Sequence, residues 1–262
     1  AAVVLFAPSE DLDEAQLDKL DAFLDNDGQK GKTLLYFAAA NQPQLPNLEA
    51  FLSEWGIVME DATVYETNFN RIYNYSPYYS IVDFVNTEIY EDTSAYLLMP
   101  NARVMDTAYT ERDSRIVEVL LKFGSTAKAL PNDAAEDFDI ESAETYAFPA
   151  LIKSTLQKSS GNANATGSAL LESHVIVSSS AMSCESSLLS GSTFVNGKYY
   201  ISLLNSLLGR ESNFSITAKT LDTTTLTMTN FQILSIGAVF AIIIPLALLV
   251  VGVVVWLRRR HK

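Results

Sequence analysis

The chain has one cysteine, Cys184, in 262 residues, and only two histidines, His174 and His261. A single cysteine excludes an intrachain disulfide, so the fold must rest on its core and not on covalent staples. The same scarcity narrows the chemistry. A Cys–His or Ser–His–acid site would have to use His174, and zinc would find one thiol and one imidazole before the last residues. No G-x-S-x-G elbow is present. The stretch "GQKGKT" (28–33) ends like a phosphate loop, but the position of the first required glycine is Asn26. It also joins a helix to a strand, the reverse of the order such loops need. "DNDG" (25–28) fails as a calcium loop, because Phe23 and Leu34 stand where carboxylates are required. No catalytic, cofactor-binding or metal-binding residue is therefore expected, and no cofactor.

Basic residues are also few, 18 against 31 acidic ones, for a formal charge of −13. All the acids precede residue 231, and four of the bases follow residue 257. The part before residue 231 is thus strongly acidic, a surface that repels nucleic acid and anionic headgroups. Charge of either sign is missing from Phe231 to Leu257, 27 positions. As a helix that segment reaches about 40 Å, enough for a hydrocarbon core of about 30 Å with some tilt. Pro245 and Gly252 are tolerated in membrane helices, and Trp256 stands where an interfacial ring belongs. Arg258, Arg259 and Arg260 follow at once, with Lys262 behind them. The positive-inside rule sets the topology: arginines in the cytoplasm, everything before residue 231 outside the cytoplasmic membrane. The chain opens without Met, inside a strand, so further residues are expected ahead of Ala1.

What is present in quantity is apolar periodicity. "AAVVLFA" (1–7) and "TLLYFAA" (33–39) are continuous apolar runs, the pattern of parallel strands buried on both faces. Between them Leu12, Leu17, Leu20 and Leu24 recur at helical spacing, with Asp11 and Glu14 as the capping pair and Gly28 as the stop. "NLEAFLSEWG" (47–56) predicts a second helix capped by Asn47, and "IVMEDATVYE" (57–66) a third strand. Strand, helix, strand, helix, strand is the order of a doubly wound sheet. "SAYLLMP" (94–100) and "RIVEVLLKFG" (115–124) supply further elements. Residues 131–145, with six acids and no base, read as a solvated loop, and 158–169 as a hairpin tip or linker. "SHVIVSSSA" (173–181) predicts a late strand and "NGKYYISLLNSLLG" (196–209) an amphipathic helix. The domain is expected over 1–215, a Thr-rich stalk over 216–230, a spanning helix over 231–257 and a basic tail over 258–262.

Two surfaces stand out. In open doubly wound sheets, ligands bind beyond the carboxyl ends of the strands. Those ends carry Ser9, Asn41, Ser179 and Ser180, which are candidates for a ligand cleft and equally for caps and turns. "RIYNYSPYYS" (71–80) holds four tyrosines, Tyr73, Tyr75, Tyr78 and Tyr79. Such rings suit a partner face, or a long connection pinned to the core.

Four stretches carry a family resemblance: "VVLFAPSEDLDEAQLDKLDAFLDNDGQKGKTLLYF", "PNLEAFLSEWGIVMEDATVYE", "SHVIVSSSAMSCESSLLSGSTFVNGKYYISLLNSLLG" and "LTMTNFQILSIGAVFAIIIPLALLVVGVVVWLRRR". In this order they resemble the GldG-type auxiliary components of ABC transport systems. The resemblance covers nearly the whole chain and rests on order more than on any one motif. It implies an α/β, Rossmann-like three-layer sandwich, shaped like the glutamine amidotransferases but without their cysteine, followed by one C-terminal transmembrane helix. It also implies a non-catalytic subunit beside a multi-span permease, with a separate ATPase subunit. Family members often have an acid after the late strand, where this chain has Ser178–Ser180 and Ala181. The readings from other classes are a tethered hydrolase or amidotransferase using His174 or Cys184, and a surface adhesion protein using the tyrosines.

Overall fold

The computed structural model describes residues 1–92, 94–159, 170–208 and 229–243, with 245, 246, 249, 252, 253, 256 and 257 beyond them. In chain order the first half holds β1 (Ala2–Phe6), α1 (Glu14–Asp25), β2 (Thr33–Phe37), α2 (Pro46–Glu54), β3 (Ile57–Glu66), a 3-10 turn (Phe69–Arg71), β4 (Ile72–Tyr73), β5 (Ser76–Phe84) and β6 (Leu97–Pro100). The second half holds β7 (Arg103–Thr107), β8 (Glu111–Arg112), β9 (Arg115–Lys122), β10 (Ala127–Pro131), β11 (Pro149–Ser159), β12 (Leu170–Ser178), α3 (Ser186–Ser190), α4 (Asn196–Leu207) and α5 (Asn230–Ala238).

The main sheet runs in the order β1-β2-β12-β11-β9-β5-β4, with β6 paired to β5 and β8 to β9. Among its strand pairs only β1–β2 and β2–β12 are parallel; the others are antiparallel. The expectation of a doubly wound parallel sheet is thereby corrected to a mixed one. The third strand marks the departure. β3 leaves the main sheet and forms a second, antiparallel sheet in the order β10-β3-β7. Its side chains alternate between buried and half-exposed, as an antiparallel strand with one wetted face requires. β1 is likewise corrected. It is an edge strand with Val4 and Phe6 more than half exposed, not a strand buried on both sides.

The strands beside it match the sequence pattern. Every residue of β2 is buried. Leu34 and Tyr36 point into a core with α1 and α2, while Leu35 and Phe37 point into the opposite core with Tyr199, Tyr200 and Leu203 of α4. β3 serves both cores, Ile57 and Met59 in the first, Ala62 and Val64 in the second. It changes side at an irregularity in its pairing with β7 between Met59 and Thr63. β3 takes four steps there where β7 takes two, and such extra residues bend a strand and re-aim the side chains beyond them.

The helix caps differ from the sequence reading. α1 is capped by Asp13, which accepts from the Gln16 N–H (2.8 Å), while Gln16 Oε1 accepts from the Asp13 N–H (2.9 Å). The chain leaves α1 through Asn26 in the left-handed region, two residues before Gly28. α2 starts at Pro46 with no cap from its own residues, so Asn47 lies inside it. Asp11 does that work from 36 residues away. Its Oδ2 accepts from the Asn47 N–H (2.8 Å) and its Oδ1 from the Leu48 N–H (3.1 Å). One carboxylate thus satisfies two orphan donors at a positive helix end.

Residues 131–145 are mostly exposed, with a short 3-10 turn at Ile140–Ser142, and among the described residues no three His, Cys, Asp or Glu gather to hold a metal ion. β11 and β12 pair up to Ser159 and Leu170, so the predicted hairpin tip, like most of the predicted stalk, lies outside the described residues. Thr229 and Gln232 exchange capping hydrogen bonds at the start of α5 (3.0 and 3.4 Å), and a π-helical turn, Val239–Ile243, comes after it. Among the described residues no helix is long and apolar enough to cross a membrane.

If Asp11 holds α2 in place, Asp11→Ala costs about 1–2 kcal/mol, more than Asp13→Ala, which removes one cap from a helix that keeps its packing. Urea denaturation of the two variants checks this order.

Candidate ligand cleft

A concavity of about 710 Å³ opens where β2 ends. Its floor is the turn after β2, its walls come from β3, β5 and the β6–β7 connection, and Asn132 and Met182 close it. Volumes of this size suit small ligands. Gln42 is buried beneath it. Its Oε1 accepts from the Tyr36 hydroxyl (2.9 Å) and the Ala39 N–H (3.2 Å), and its Nε2 donates to the Pro8 carbonyl (2.8 Å). The turn is therefore pinned to the end of β1 and cannot collapse into the cleft.

Asp61 is the one ionisable carboxylate in the lining. The strand irregularity in β3 presents it. Gln44 donates to its Oδ2 (2.9 Å) and Asn132 to its Oδ1 (2.7 Å), and these bonds hold its carboxyl below the ordinary 3.8. The buried Arg103 pulls the same way, while its own guanidinium donates to Glu49 Oε1 (2.7 Å) and to the Glu60 carbonyl (2.7 Å). Asn132 also donates to the Ala40 carbonyl (3.0 Å) and accepts from the Thr63 hydroxyl (2.8 Å). The rest of the polar lining is Asn41, Gln44, Asn101 and the Tyr78 ring, which stands edge-on to Tyr65 at 5.6 Å. No serine, cysteine or histidine lines it among the described residues. Amides, one ionised carboxylate and a phenol offer a polar ligand hydrogen-bond donors and acceptors.

Of the four predicted cleft residues, only Asn41 is in the lining. Ser9 is exposed outside it, and Ser179 and Ser180 are wholly buried. Ser180 is occupied in the fold, whereas the Ser179 hydroxyl is buried without a hydrogen-bond partner. The Tyr200 hydroxyl meets Ser183 Oγ at 2.6 Å and Ser178 Oγ at 3.3 Å. Ser183 donates to the Ser180 carbonyl (2.6 Å), and Ser180 donates to the Pro100 carbonyl. Asn196 extends this network: its amide donates to the Leu98 and Ser183 carbonyls and accepts from the Leu98 N–H. Reading a site at Ser179 and Ser180 is therefore corrected. α4 covers that strand end, and its buried phenol uses their neighbours as partners.

His174 and Cys184 are not brought together. His174 pairs with Thr33 at the start of β2, four residues and about 13 Å before the β12 end that Cys184 follows. Burial pushes the Cys184 thiol up to about 11, so it holds almost no thiolate at neutral pH. The tyrosines also part company. Tyr78 faces the cleft, Tyr73 and Tyr79 pack around Ile81, Leu98 and Phe194, and Tyr75 stands exposed at the hairpin tip. Asn74 and Tyr75 both have positive φ, 55° and 57°, in a two-residue turn where glycine would ordinarily take the second place. A large ring there stores about 1–3 kcal/mol of strain. Arg258, Arg259 and Arg260 lie outside the described residues. Asp61, Asn101 and Asn132 were missed by sequence reasoning. The one sequence signal was the break in alternation at Met59–Ala62, where two polar residues interrupt β3.

No family model and no curated protein matches the chain. Among solved structures it is similar to one described as the mmIFT52 N-terminal domain, with a TM-score of 0.53 and 16% identity, over 79% of this chain and 76% of that one. At that identity the likeness concerns the fold alone, a mixed α/β architecture with a curled sheet.

Burial, the largest cause, and Lys153 hold His174 below its ordinary 6.5, against the pull of Glu172 and Glu118. The unfolded chain therefore takes up a proton first as pH falls through 6.5, and the folded state loses stability from there down to its own lower pKa. The urea midpoint should drop between pH 7 and pH 5, and His174→Gln should flatten that slope.

Proposed function

We propose that this chain is a non-catalytic, membrane-anchored auxiliary subunit of an ABC-type transporter, its α/β domain working outside the cytoplasmic membrane to engage substrate or brace the permease. One observation carries the reading. The strand end where a doubly wound enzyme would hold its reacting groups is sealed by the serine–Tyr200 network, and the open cleft beside it offers amides and one carboxylate. That combination favours binding over turnover. The family resemblance supplies the partners: a multi-span permease and, through it, a separate ATPase.

In the same reading the parallel strands β1, β2 and β12, with α1 and α2 on one face and α4 on the other, form the Rossmann-like heart of a three-layer sandwich. The antiparallel strands extend it. The uncharged run 231–257 is the anchor, entered through α5, with the arginines at 258–260 holding the cytoplasmic side. Exposed apolar side chains at Phe231, Leu234, Phe240, Ile242, Leu246 and Leu249 support a helix surrounded by lipid.

Tagged protein purified from detergent-solubilised membranes should recover a multi-span permease and an ATPase in fixed proportion. Recovery of neither, under conditions that keep other transporters intact, overturns the transporter reading.

A further inference from the structure

We infer that the Phe69–Tyr75 ring pair, at the tip of the β4–β5 hairpin and the 3-10 turn below it, rests in the headgroup layer of the membrane and holds the α/β domain against lipid. The inference depends on the anchor reading of residues 231–257 and adds to it a second contact with the bilayer.

The first observation is position. α5 lies within 8 Å, Cα to Cα, of the turn Phe69–Arg71, and Thr229 at its start is buried. The uncharged segment that α5 opens would be about 40 Å long as a helix, roughly 10 Å more than a hydrocarbon core. Its first turns therefore lie at headgroup depth, and the turn against them lies there too.

The second observation is charge. In a chain with 31 acidic residues, positions 67–82 contain none. The single charge in that window, Arg71, is engaged inward: its Nη2 donates to Asp83 Oδ1 (2.9 Å) and to the Ile81 carbonyl (3.0 Å), and its Nε faces the buried Glu66 at 3.8 Å. Gly124 leaves the room this needs, since a Cβ there would collide with Arg71 Nε. The flanking acids are thus gathered around one guanidinium. What the tip presents outward is Asn68, Phe69, Asn70, Asn74 and Tyr75, amides and rings without a carboxylate.

The third observation is the rings themselves. Phe69 is 38% and Tyr75 55% exposed, with centroids 5.8 Å apart. Tyr75 keeps its ring in a backbone conformation that favours glycine. An apolar body with a polar rim is the side chain that partitions to membrane interfaces. With no lysine or arginine free at the tip, the contact depends on ring burial and not on anionic lipid.

The test uses the full chain in phosphatidylcholine vesicles, with Trp256→Phe as background and the buried Trp55 as constant signal. An Asn70→Trp reporter should be quenched by lipid brominated near the headgroup, and a Val253→Trp reporter by lipid brominated deep in the chain. Phe69→Ser with Tyr75→Gly should reduce Asn70→Trp quenching by roughly twofold or more as the interfacial rings are lost. The thermal midpoint should hold or rise, because glycine suits the turn. Quenching at position 253 without quenching at 70 overturns the inference and leaves the anchor standing. Quenching at 70 that survives loss of both rings also overturns it. No quenching at either position removes the anchor reading and this inference together.

Discussion

A phenol buried in a protein must find partners for its hydroxyl, and much of this fold depends on where Tyr200 finds them. Burial pushes that hydroxyl far from ionising, so it stays a neutral hydrogen-bonding group. Its partners are Ser178 and Ser183, which flank the end of β12. To reach them α4 must lie across the carboxyl end of the central strands, and Asn196 at its start then ties it to β6. Phe37 of β2 meets the Tyr200 ring edge-on at 5.7 Å, so the same helix also closes the second core. A strand end that could have been a site is spent as structure.

The cleft is displaced sideways as a consequence. It opens over the turn after β2, and its far wall is β3, the strand that abandoned the main sheet. The irregularity between Met59 and Thr63 lets that strand serve both cores and turns Asp61 outward between them. Arg103, Gln42 and Asn132 brace this arrangement from beneath, each through hydrogen bonds to the backbone. Gln44, Asp61, Thr63 and Asn132 hold one another in place by hydrogen bonds, so a ligand would meet preset donors and acceptors there.

The central parallel strands were legible because "LLYF" and "VIV" are continuous apolar runs, the composition that burial on both faces favours. α4 was legible from its spacing. The caps were not: three acids precede α1 within three positions of one another, and which of them faces which helix depends on how α2 packs, 36 residues later. β3 was misread for a different reason. Its alternation already described a half-wetted antiparallel strand, but the strand–helix order around it suggested a parallel one. Ser179 and Ser180 could not be told from ligand-binding hydroxyls, because what decides their role is a tyrosine that returns from α4. Asp61 left almost no trace, since the cleft wall is assembled from segments far apart in sequence.

In the proposed reading, the acidic domain, the uncharged segment and the terminal arginines together describe a molecule with two electrostatic ends, held at a membrane with its ring-bearing hairpin toward the lipid. The topology is the claim on which the rest hangs. It is read most directly by labelling intact cells with a membrane-impermeant maleimide, using Glu136→Cys and Lys262→Cys variants; Cys184, with its raised pKa, reacts slowly as background. The account requires Glu136→Cys to label in intact cells and Lys262→Cys only after the membrane is opened. Labelling in the opposite order, or of neither position until lysis, would contradict it.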